Sequence, residues 1–272
     1  MQQQIIIDSS KKGINLNIKE LIAYKDLLVT LAFRDLKVRY AQTALGFLWA
    51  IIQPLSTLLI FTLVFGKVAK VNTGTIPYPL FALTGMAAWT YFSNVMSSAG
   101  SSIIGSQAMI SKIYFPRLII PLSKSVVALV DFMIILVLLL VTMFFYGYYP
   151  DSQIIFFPLF VLLALLSGLS IGIWLSALTV RFRDFQYIIP FAVQLGMYAT
   201  PVAYPASLVP DQYKFWYFLN PMAGVVEGFR WSLLGGDPPG ILTLLSTGLV
   251  LLLFFSSLFY FRSVEKVMAD II

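Results

Sequence analysis

Few side chains in this sequence can make or break a covalent bond. It contains no histidine and no cysteine, so no Ser-His-Asp triad, Cys-His pair, thiolate centre or His-ligated metal can be assembled. Nowhere does it read G-x-x-x-x-G-K-[ST], the loop whose backbone amides and lysine hold nucleotide phosphates. A Ser-Lys arrangement survives in Ser123, Lys124 and Ser125, but a lysine reaching from a helix end toward lipid headgroups accounts for Lys124 more simply. Asp131 is the one carboxylate well inside an apolar stretch. A charge there costs roughly 2.5–3.5 kcal/mol on insertion scales, so Asp131 must face protein, water or a partner. Lys124 lies about 10 Å away along a helix axis, too far to pair with it directly. Asp131 reads either as a proton or substrate site or as a hydrogen bond between helices. With no second carboxylate or histidine beside it, the second reading is the simpler. Glu227 and Arg230 are spaced to meet on a helix.

The elements that position these residues are apolar and long. Hydrophobic residues make up 59% of the 272-residue chain and charged residues 11%, against about 25% charged in soluble domains. A bilayer core about 30 Å thick takes roughly 20 apolar residues per helical span. The sequence predicts an all-α integral membrane bundle with spans at 45–66, 79–100, 118–146, 154–180, 187–204 and 241–261. These use most of residues 1–272, which leaves one transmembrane domain and no separate soluble one. Within the cytoplasmic and interface segment 1–44, residues 17–37 predict an N-terminal amphipathic helix, lying at the membrane interface or packed on a neighbouring domain. Its apolar stripe is Ile18, Leu21, Ile22, Leu28, Val29, Ala32, Phe33 and Leu36, interrupted by Lys25, with Leu27 and Leu31 lying off it. Small-residue pairs such as Gly168 and Gly172 predict close helix packing. Pro54 predicts a kink in the first span.

The net charge is +6, and basic connecting segments mark the cytoplasmic side. Residues 1–44 hold Lys11, Lys12, Lys19, Lys25, Arg34, Lys37 and Arg39. The loop after the second span holds Lys112, Arg117 and Lys124, the loop after the fourth Arg181 and Arg183, and the tail Arg262 and Lys266. The alternate segments hold only Lys67, Lys70, Lys214 and Arg230. Both termini are therefore expected in the cytoplasm. Nucleic-acid binding is a poor reading of a charge confined to membrane edges.

Residues 208–236 form neither a plain span nor a plain loop. Prolines break the region and aromatics crowd it, and the helical part with Glu227 and Arg230 is too short and polar to cross. A re-entrant or interfacial segment on the outer side fits, because irregular backbone at membrane depth needs protein or water around it. Aromatic residues gather near the outer span ends. They read as an interfacial belt or as apolar platforms along a sugar path, and composition favours the belt.

Four stretches resemble the membrane subunits of ABC-type polysaccharide exporters of the O-antigen and lipopolysaccharide class. They are LAFRDLKVRYAQTALGFLWAIIQP at 31–54, KIYFPRLIIP at 112–121, NPMAGVVEGFRWSLLG at 220–235 and FRSVEKVMADII at 261–272. The resemblance implies a homodimer in the bacterial inner membrane with two copies of a separate cytoplasmic ABC ATPase. That partner would bind the ATP and Mg, leaving this chain without a cofactor or metal of its own. A lipid-linked glycan would leave the cytoplasm through a channel at the dimer interface. The resemblance also implies a coupling helix at 106–117, with Met109, Ile113, Tyr114 and Phe115 as apolar contacts to the ATPase and Arg117 as its charged edge. It places Arg34, Lys37 and Arg39 near lipid headgroups and phosphate, Trp89, Tyr198 and Tyr204 along the channel, and Glu227 with Arg230 at an outer gate within 208–236. Teichoic acid and capsule exporters share these motifs. A membrane-embedded transferase acting on a lipid-linked sugar, or a proton-driven transporter, remains as an alternative without a supporting motif.

Overall fold

The computed structural model describes residues 18–41, 48–236 and 238–271. The expected features at 1–17 and 42–47, including Lys11, Lys12 and the start of the first span, lie outside the described residues. Among the described residues the chain is helical, with no strand. The helices are α1 (Ile18–Ala23), α2 (Lys25–Ala41), α3 (Leu48–Phe61), α4 (Tyr78–Gly100), α5 (Gln107–Ile110), α6 (Ile119–Phe145), α7 (Phe157–Arg181), α8 (Phe185–Tyr198), α9 (Asp211–Tyr217), α10 (Pro221–Leu234) and α11 (Ile241–Ile271).

Four helical stretches among the described residues are long and apolar enough to cross a membrane: Leu48–Val68, Ile119–Phe145, Ser152–Arg181 and Ile241–Glu265. The other two expected spans differ in character. α4 is long enough, at 23 residues, but less apolar, and 17 of those residues are buried. It packs against α6, α7, α8 and α10. A helix enclosed by other helices has little lipid to face and tolerates Thr84, Ser93 and Asn94. α8 has 14 residues, about 21 Å at 1.5 Å per residue, which is shorter than the bilayer core.

α4 and α7 meet along a close seam. A Cβ on Gly168 would stand 2.8 Å from the carbonyl of Phe92, and one on Gly172 would stand 2.7 Å from Cβ of Ala99. Side chains there are absent so that the two backbones can touch. α3 contains Pro54 and passes into a π-helix at Thr62–Val68. The proline has no N–H to bond the preceding turn.

Two expectations about local structure need correction. The first concerns the N-terminal helix, which is split at Tyr24 and shows almost no net segregation of polar from apolar residues along α2. Leu31, expected off the apolar stripe, is buried together with Ala32, whereas Ile22, Val29 and Phe33 from the stripe are exposed. The packed face of α2 holds half-buried Leu27, Leu28 and Asp35 with buried Leu31 and Ala32, and α2 packs along α6. Charged Asp35 and Arg39 sit on or beside this face, so a simple two-sided pattern cannot form. The second concerns the coupling segment. Its α-helix is only Gln107–Ile110, preceded by a 3-10 turn at Ile104–Ser106. Pro116 disfavours helical geometry at Phe115, and the chain runs non-helically to Pro116.

Candidate functional site

Contacts define two ends of the bundle. At one end the start of α6 shares a pocket with the end of α4, and Arg117 just before α6 bonds Glu265 on the tail of α11; this is the basic end. At the other, the starts of α4 and α7 meet α10, and aromatic residues dominate.

At the basic end, α2 and α6 are joined by two charge pairs. Asp35 Oδ2 lies 2.5 Å from Lys124 Nζ, and Arg34 flanks it at 2.8 Å. Further along, Asp131 Oδ2 lies 2.8 Å from Arg39 Nη2. Tyr40 Oη donates to Asp131 Oδ1 at 2.5 Å, and Asn94 Nδ2 donates to Oδ2 at 3.3 Å. The intramembrane carboxylate is thus held by α2 and α4 together, and only 6% of its surface is exposed. The order of signs explains the fit: α2 presents minus then plus, and α6 presents plus then minus, with both helices running in the same sense. Burial opposes ionisation of Asp35, but the hydrogen bonds from Lys124 and Arg34 outweigh it and hold the carboxyl below its ordinary value. Burial and the Asp131 carboxylate push the Tyr40 phenol up to about 12, so it stays protonated and donates its hydrogen bond at neutral pH.

Behind these pairs lies a pocket of about 270 Å³ lined by Asp35, Arg39, Ser98, Ser101, Ser102, Gly105, Lys124 and Val127. Its wall on α4 and the following turn is made of small residues. Among the described residues no group of three His, Cys, Asp or Glu side chains could hold a metal ion.

The expected coupling residues separate. Ile113 and Tyr114 are each 61% exposed beside exposed Lys112. Met109 is half-buried. Phe115 is 4% exposed and belongs to the main apolar core, so it anchors the segment and is not available as a contact. Arg117 is tied inward: its backbone N–H donates to Glu265 Oε1 at 2.9 Å, and its guanidinium donates to the Glu265 carbonyl. Arg262 pairs with the same carboxylate at 2.8 Å. Lys37 and Arg34 are exposed on α2, while Arg39, expected near headgroups, is committed to Asp131.

At the aromatic end, Glu227 and Arg230 pair at 3.1 Å. Arg230 is buried: it donates to the carbonyl of Val202 at 2.8 Å and its guanidinium lies over the Phe81 ring. Tyr198 is exposed. Tyr204 Oη donates to the Tyr198 carbonyl at 2.8 Å and receives Tyr217 Oη at 3.2 Å. Trp89, expected along a channel, is buried between α4 and α8, with its ring against Phe92 and Gly196.

Sequence reasoning missed Asp35, Tyr40, Asn94 and Glu265 as partners. The complementary signs at Asp35 and Arg39 on one helix, and at Lys124 and Asp131 on another, were the available signal.

The pattern of the ABC-2 type transporter membrane family matches residues 26–234. The O-antigen export system permease protein RfbA of Myxococcus xanthus is 33% identical over 254 residues, covering 91% of this chain and 96% of that protein. The protein of the same name from Klebsiella pneumoniae is 30% identical, covering 78% of this chain and 81% of its own length. The polysialic acid transport protein KpsM of Escherichia coli is 25% identical over 76% of this chain and 80% of its own.

Proposed function

The chain belongs to the ABC-2 type transporter family, and from that premise we propose that it is the membrane subunit of an ATP-driven polysaccharide exporter. The cargo is a lipid-linked glycan of the O-antigen class, which leaves the cytoplasm through a channel between two copies of this chain. The observation that carries this reading is the 33% identity that spans 96% of an O-antigen export permease. Identity to the capsule-type relative is lower, at 25%, which favours the O-antigen class.

The sequence lacks a phosphate-binding loop, so the energy comes from a separate ATPase bound at the basic end, two copies per dimer, which holds the ATP and Mg. The basic end is cytoplasmic by the charge rule, in a bacterial inner membrane that the homodimer crosses with six spans per subunit. α4 serves as an enclosed span and α8 as a short one. Ile113 and Tyr114 supply the apolar contact to the ATPase, Met109 its flank. Arg34 and Lys37, exposed on α2, meet lipid headgroups and the phosphate of the cargo. α9 and α10 form the outer gate, which the Glu227–Arg230 pair stiffens, and Tyr198 and Tyr204 face the glycan's exit.

The test is co-purification in detergent with candidate ABC ATPase subunits from the same organism. Wild type should co-elute with one of them, and Ile113→Asp should not, while the variant keeps its own elution position. Failure of the wild type to bind any such ATPase would overturn the reading.

A further inference from the structure

The pocket at the basic end is covered on one side by α2, which is held to α6 by two charge pairs as well as by apolar contacts. α2 packs chiefly on α6, with Leu31 and Ala32 as its buried apolar contacts. Across the pocket from it lie Ser98, Ser101, Ser102 and Gly105. These small residues leave open space where larger side chains would have filled the gap and held α2 by dispersion.

We propose that the two charge pairs, Asp35 with Lys124 and Arg39 with Asp131, form a releasable latch that holds α2 against α6 over this pocket. α6 is the fixed post. It starts just after Arg117, which Glu265 staples to α11, and it packs along α4. α2 is the moving part.

The exposure of the two pairs suits a latch. The side chains of Asp35 and Lys124 are 17% and 22% exposed, and that of Arg39 is 45% exposed. Water can therefore take over their solvation when they part. Fully buried pairs would resist parting, because each charge would be stranded. Fully exposed pairs would hold nothing. Asp131, the deepest member, keeps Asn94 of α4 as a hydrogen-bond donor when Arg39 and Tyr40 leave with α2, so its carboxylate is not left bare.

The chain has no cysteine, so one introduced thiol reports alone. Ser102 lines the pocket and is buried. The experiment measures the rate at which a charged, water-soluble maleimide labels Ser102→Cys in the purified full chain. Adding Lys124→Asp, which sets two carboxylates face to face, should raise the rate by about fivefold, the scale of a partly exposed pair. The double exchange Asp35→Lys with Lys124→Asp should bring the rate back to that of the unmodified latch. Lys124→Gln gives a smaller rise in the same direction, and serves should Lys124→Asp fail to elute as a folded protein. An unchanged rate in the single variants, or a double exchange that labels as fast as Lys124→Asp, would overturn the latch. No ATPase or glycan enters the measurement, so the result stands apart from the transport reading.

Discussion

The guanidinium carbon of Arg230 lies 3.5 Å from the centre of the Phe81 ring, joining α10 to α4 at the aromatic end. The same guanidinium donates to the Phe81 and Val202 carbonyls and pairs with Glu227. Planarity serves both tasks, since one face covers the ring while the edges donate. Arg230→Lys keeps the charge but loses the stack and most of the donors, and Arg230→Ala strands Glu227 and the carbonyls. We expect Arg230→Ala to cost about 3–5 kcal/mol, with Arg230→Lys in between and Glu227→Gln mildest, because Glu227 is about one-third exposed. Thermal unfolding in detergent ranks the three; equal losses would refute the assignment.

The α4–α7 seam makes a sharper steric prediction. A methyl on Gly172 would stand 2.7 Å from Cβ of Ala99, whereas one on Gly105 would meet nothing within 4 Å. Gly172→Ala should destabilise by about 1–3 kcal/mol through overpacking, and Gly105→Ala should not. The yield of monodisperse protein after mild heating distinguishes them.

Ile113 and Phe115 lie two residues apart and should fail differently. Phe115→Ala removes a core side chain and is expected to cost about 3–5 kcal/mol of stability. Ile113→Ala, at an exposed position, should leave unfolding unchanged and weaken co-elution with the ATPase. A reversed pattern in paired stability and binding assays would contradict the burial of Phe115 and the exposure of Ile113.

Asp35 gives a pH dependence. Its folded carboxyl titrates below the ordinary value of 3.8, so the unfolded chain takes up the proton first as pH falls. The stabilisation is therefore complete above the unfolded value and is lost as pH drops through the folded one. The difference in Tm between wild type and Asp35→Asn should stay constant from neutral pH down to about 5 and close below about 4. A difference that instead grew on acidification would show the opposite shift.

Much of the architecture could be read from single stretches of chain. Helices at 119–145, 157–181 and 241–271 coincide with long apolar runs, because a bilayer selects for length and composition, both of which are local properties. Gly168 and Gly172 declared a close contact, since their spacing puts two missing side chains on one helix face. The absence of histidine, cysteine and a phosphate loop removed whole classes of chemistry without any structure.

The tertiary fold decided what each face touches. Periodicity says that Leu31 or Phe33 lies on some side of a helix; only packing against α6 selects Leu31 for burial. Phe115 and Trp89 looked like contact residues until neighbouring helices enclosed them. Asp131 announced itself as costly, but Arg39 and Tyr40 stand about 90 positions away in sequence, and no local pattern names a partner at that separation. Charge on a buried face is legible only once its complement is seen, because the energy belongs to the pair and the pair is made by the fold.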